Sequence, residues 1–144
     1  MKFFIFYFLF FTSLLFANDP SDKLRVEIIK NIVLGIKNSE PMSVWSDDGK
    51  IMKALRSSDE FKVVDNCRDA GLIILNDKSS LPKNINQKHI FVLKYSLLHK
   101  IPDSFGAFFW KKGRPNIVFI KPRVQKQSLK LSTNLKPYIE DKVW

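Results

Sequence analysis

Leu72-Ile73-Ile74-Leu75 is apolar at every position. A strand built from it has no face to offer to water and needs cover on both sides. Ile90-Phe91-Val92-Leu93 repeats the pattern after Asn76 to Gln87, a polar, proline-bearing loop with room for one helical turn. Strands of this kind mark the interior of a largely parallel sheet between layers of helix.

Upstream, Leu24, Ile28, Ile29, Ile32, Val33 and Ile36 recur at helical spacing and predict an amphipathic helix from about Ser21 to Lys37. Ser21 or Asp22 suits its N-cap, and Pro41 lies beyond its end. A short strand is expected at Met42 to Trp45, followed by the polar turn Ser46-Asp47-Asp48-Gly49. Asp47 or Asp48 would then cap a helix over Lys50 to Ser57, with Ile51, Met52, Ala54 and Leu55 facing inward. Phe61 to Val64 reads as a further strand. Downstream, Phe105 to Trp110 and Ile117 to Lys121 predict a β-hairpin joined by Lys111 to Asn116. Pro122 ends the second strand near Lys121, because proline donates no ladder hydrogen bond. Short helices are expected at Arg123 to Gln127 and Asn134 to Asp141. The expected fold class is α/β: a single compact, Rossmann-like domain with a mostly parallel sheet, flanking helices and a C-terminal antiparallel β-hairpin.

At the N-terminus, MKFFIFYFLFFTSLLFA (residues 1–17) has Lys2, a nearly unbroken apolar run and Ala17 ahead of the polar Asn18-Asp19-Pro20-Ser21-Asp22. That is the layout of a secretory signal peptide. A spanning helix needs about 17–25 apolar residues, so cleavage after Ala17 is expected over retention as an anchor. Residues 18–144 then form one domain in the periplasm. The single cysteine, Cys67, permits no internal disulfide and lies too far from the cleavage site to carry a lipid. A soluble exported protein, not a lipoprotein, is expected.

Lys and Arg number 24 against 14 Asp and Glu, a formal net charge of +10. Such a chain attracts nucleic acid, anionic lipid and acidic proteins. Export removes nucleic acid from the expectation. The cations are scattered except at Lys111-Lys112-Gly113-Arg114 and from Lys121 to Lys130, so a solubilising surface and a dedicated basic face both stay open.

Catalytic constellations are sparse. His89 and His99 lack carboxylates at ligand-like spacing, and each reads as a strand-end residue beside a lysine. Cys67 next to Arg68 has no nucleophile signature and suits a small hydrophobe. Glycines 35, 49, 71, 106 and 113 stand singly, so no phosphate-cradling loop is expected. No metal, cofactor or enzymatic activity is expected. The hairpin carries more information. Phe105, Phe108, Phe109, Trp110 and Phe119 crowd a short stretch, and strand alternation puts aromatics on both faces. Part of this set should fill the core, and a surplus beside Lys111, Lys112 and Arg114 would suit a protein contact.

Gly106-Ala107-Phe108-Phe109-Trp110, Lys112-Gly113-Arg114, Ile117-Val118-Phe119-Ile120, Arg123 and Leu129-Lys130-Leu131-Ser132 with Leu135 resemble the C-terminal portion of the YfiR family of small periplasmic proteins. Upstream, Val44-Trp45-Ser46-Asp47-Asp48 is similar to that family's strand and acidic turn, and Cys67 through Leu75 to a strand pair. The family's Trp-Pro after the first helix and a His after its Cys are absent here. The resemblance implies a compact α/β domain without catalytic machinery. It also implies restraint of an inner-membrane signalling protein, notably a diguanylate cyclase, through that partner's periplasmic domain.

The function expected from these readings is a non-enzymatic periplasmic regulator of an inner-membrane signalling partner such as a diguanylate cyclase or sensor kinase. Phe108, Trp110, Lys111, Lys112 and Arg114 are the expected partner contacts. Homodimerisation and peripheral contact with an anionic membrane surface stay open. The alternative is a small solute-binding or sensor domain with Asp47, Asp48 and Asn76 at the carboxyl ends of the parallel strands.

Overall fold

A computed structural model of the chain describes residues 20–37, 42–85 and 88–144. The expected signal segment, residues 1–17, lies outside the described residues. Helix α1 (Pro20–Gly35) leads into β1 (Ile36–Lys37), then β2 (Ser43–Ser46), α2 (Gly49–Arg56), β3 (Lys62–Val63), β4 (Leu72–Leu75) and β5 (His89–Val92). Helix α3 (Leu97–Lys100), β6 (Ser104–Lys111), β7 (Arg114–Ile120), α4 (Lys121–Lys126), β8 (Lys130–Leu131) and β9 (Ile139–Glu140) complete the order. The main sheet has the order β3-β2-β4-β5-β6-β7-β9 and is parallel throughout except for the β6–β7 hairpin.

β4 and β5 sit in the middle of this sheet, as their two-faced apolar sequences require. Leu72, Ile74 and Phe91 point to a core with Ile29 and Ile32 of α1, Ile51 and Leu55 of α2, and Val124 of α4. Ile73, Leu75, Ile90 and Val92 point the other way, onto Cys67 and onto Leu97 and Leu98 of α3. Arg123 ties these layers together: its Nη1 donates to the carbonyls of Leu98 and Ser104, each at 2.9 Å.

Several boundaries differ from the sequence reading. Helix α1 already includes Pro20, so Ser21 and Asp22 lie in its first turn rather than capping it. It stops at Gly35, and Ile36–Lys37 pairs antiparallel with β8. A Cβ on Gly35 would lie 2.5 Å from Leu135 Cδ1, so the absence of a side chain lets the 132–135 segment close on the helix end. Cys67–Asp69 is a 3-10 turn rather than part of a strand pair. The helix expected over Asn134 to Asp141 is replaced by a 3-10 turn at Lys136–Tyr138 and by strand β9. β7 offers that segment a backbone partner, and Phe119 pairs with Ile139.

The hairpin is longer than expected and its link shorter, with Lys111 paired to Arg114 across Lys112-Gly113. Both linking residues have positive φ, 52° and 73°. That is the requirement of the two-residue turns whose twist matches β-strands, and glycine meets it without steric cost. Pro115 pairs with Trp110 one step inside the Lys111–Arg114 pair. At that non-hydrogen-bonded position a missing N–H breaks no ladder bond. On β6, Phe105 is an extra residue between Ser104, opposite Ile90, and Gly106, opposite Phe91. This bulge brings Phe105 onto the same side as Phe108. Phe108 packs in the core with Phe91, Phe105 and Phe119 and is corrected from a surface contact to a core residue, 1% exposed.

Candidate functional site

The β6–β7 ribbon outruns its neighbours. Pairing between β5 and β6 ends at Val92 and Ala107, and pairing between β7 and β9 covers only Phe119 and Ile120. The ribbon's end, from Phe108 round to Ile117, thus extends past the ladders that flank it. Phe91, Phe105 and Phe119 anchor its base, with ring centroids 5.8 to 6.3 Å apart. Phe108 continues this packing and meets Trp110 edge-on at 5.7 Å. On the opposite face Phe109 meets Tyr95 edge-on at 5.0 Å.

Beyond these rings the ribbon is open to solvent. Trp110 is 41% exposed, and Lys111, Lys112, Arg114 and Pro115 are all exposed. Of the expected contact residues, the structure brings Trp110, Lys111, Lys112 and Arg114 together at one tip. An open concavity of about 470 Å³ is bordered by Lys111, Lys112, Arg114, Pro115 and Asn116. No Asp or Glu occurs between Ser104 and Ile120. Among the described residues, the ion pairs join Arg25 to Asp48, Lys30 to Glu27, Lys50 to Asp22 and Arg56 to Asp65, and none includes a tip cation.

A second cleft, about 530 Å³, runs along the ribbon between Tyr95, Phe109, Asn116, Glu140 and Trp144. Sequence reading missed it because its walls come from distant parts of the chain. The backbone N–H of Trp144 donates to Tyr95 Oη at 2.8 Å, and its carbonyl lies 3.1 Å from His99 Nε2. These contacts bring the end of the described chain against the hairpin's flank.

Asp47, Asp48 and Asn76 also come together, where β2 and β4 end side by side. The connection from β2 leads to β3 on one side, and that from β4 leads to β5 on the other. This is the switch point at which open α/β sheets bind ligands. Here the protein uses its own carboxylates. Asp47 accepts from the backbone N–H groups of Asn76 and Asp77 at 2.7 and 2.9 Å, taking two donors that an anionic ligand would need. Asp48 caps α2 by accepting from the N–H groups of Lys50 and Ile51, and pairs with Arg25. Burial pushes the Asp48 carboxyl up, but Arg25 and the Ile51 and Lys50 N–H groups outweigh it and hold it below its ordinary value.

The remaining candidate groups are engaged in the fold. Cys67 is buried, 8% exposed, in the core beneath α3. His89 Nδ1 lies 2.9 Å from Gln127 Oε1. Among the described residues no group of His, Cys, Asp and Glu could hold a metal ion, and no helix is long and apolar enough to cross a membrane. Comparison with protein-family models, curated proteins and solved structures finds no match to this chain.

Proposed function

We propose that the protein is a non-enzymatic regulator that binds the exposed domain of a membrane signalling protein, such as a diguanylate cyclase or sensor kinase, on the outer side of the inner membrane. The observation that carries this reading is the projecting ribbon. A rigid aromatic base presents one half-exposed tryptophan among three exposed cations. Tryptophan and arginine are enriched among the residues that dominate binding energy, and rim cations speed encounter with an acidic partner. The signal-like segment at residues 1–17 supports the compartment.

Capture of partners from solubilised membranes tests the proposal. Trp110→Ala should weaken capture about 30-fold or more if Trp110 is the anchor. Lys112→Glu should slow association and flatten its salt dependence. Undiminished capture by both variants overturns the assignment of the surface.

A further inference from the structure

We propose that the hairpin tip also binds anionic lipid headgroups directly, so that the protein works while seated on the membrane that holds its partner. The lipid contact rests on the tip's own geometry. Only its regulatory meaning rests on the function proposed above.

The tip is closed by a two-residue turn, Lys112-Gly113. A stable protein interface buries roughly 800 Å² on each partner and so takes in the ribbon's faces as well as its tip. A lipid surface has no such requirement. It needs cations that reach the headgroup phosphates and an amphipathic ring at the depth of the headgroups. Lys111, Lys112 and Arg114 border one concavity at the tip, and their charges are not spent on ion pairs with described carboxylates. Trp110 stands directly before them on β6 and keeps 41% of its surface exposed although its edge packs on Phe108. Its indole can enter the headgroup layer without leaving a core position empty.

Glu140 lines the adjoining cleft together with Lys111, and pairs with Ile120 at the far end of β7 from Arg114. The tip cations form no ion pair with described carboxylates, and the ribbon that carries them is packed with aromatic rings at its base. A cation held at an anionic lipid surface strengthens binding by about fivefold, and the effect decays within roughly 10 Å at 0.1 M salt. Lys111, Lys112 and Arg114 border one concavity and should act together.

Flotation of the full chain with vesicles of phosphatidylcholine alone, or with 30 mole per cent phosphatidylglycerol, tests the inference. Residues 1–17 are common to every variant, so differences between variants report the tip. The wild-type chain should prefer anionic vesicles, and the preference should fall as salt rises from 50 to 500 mM. Lys112→Gln with Arg114→Gln should weaken anionic binding about 25-fold, and Lys112→Arg should preserve it. Thermal melting of each variant separates loss of binding from loss of fold. Equal binding to neutral and anionic vesicles overturns the inference, as does undiminished binding by the Gln variant. If vesicles fail to bind while Trp110→Ala still abolishes membrane-partner capture, the tip is a protein contact alone: the lipid inference fails and the proposed function stands. If vesicles bind and no membrane partner is captured, the reverse holds.

Discussion

Asp48 concentrates two functions in one carboxylate: it closes the first turn of α2 and holds Arg25 from α1. Asp47 and Asp48 stand equally open as caps in the sequence, where the helix is expected from Lys50. Backbone geometry separates them. Asp48 has the extended conformation of an N-cap, while Asp47 turns to the β4 loop. Asparagine caps about as well as aspartate, so Asp48→Asn isolates the charge, whereas Asp48→Ala removes cap and charge together. The alanine variant should lose about 1–2 kcal/mol at pH 7 and the asparagine variant less. Because the folded carboxyl titrates below its ordinary value, its contribution is complete above the unfolded pKa of about 3.9. It is lost as pH falls through the lower folded value. Urea unfolding at pH 7 and pH 3 should show the gap between wild type and Asp48→Asn closing in acid. An unchanged gap would place the effect elsewhere.

The hairpin shows how one turn decides what an element presents. Lys112 occupies a left-handed position that a side chain adopts at a cost of roughly 1–2 kcal/mol, and asparagine tolerates it better. Lys112→Asn should therefore raise the melting temperature while weakening anionic binding, and Gly113→Ala should lose about 1 kcal/mol. Thermal melts in the opposite order would refute the turn assignment. The strands were legible because their apolar runs are long, but their ends were not. Lys-Gly is a weaker turn signal than Asn-Gly, and Pro115 reads as a breaker until its pairing opposite Trp110 shows that no ladder bond is lost. The candidate surface is legible to the same extent. Trp110, Lys111, Lys112 and Arg114 are read from the crowded hairpin sequence, whereas the burial of Phe108 comes from the core that β6 packs against, and the bulge at Phe105 adds a second ring on that side.

Across the whole molecule, legibility falls from the centre of the sheet to its margins. β4 and β5 announce themselves because every residue in them must be covered. β3 and β9 have two residues each, too few to carry any periodicity, and their pairing is decided by the strand beside them. Short strands at both margins limit the backbone that the sheet leaves open to other chains. β9 matters more, because β7 behind it is long and apolar at its base. Ile139 packs on the same core as Phe119 and pairs with it across the ladder. Ile139→Gly removes that packing and weakens the strand, at a cost of about 2 kcal/mol, and leaves the Val118 to Ile120 edge of β7 uncovered. Arg114 and Pro115 protect only the tip end of that edge. The variant should retain the far-ultraviolet signature of the central sheet yet associate beyond the wild-type state as concentration rises. Light scattering measures this directly, and wild-type behaviour in the variant would show that β9 does not guard the sheet.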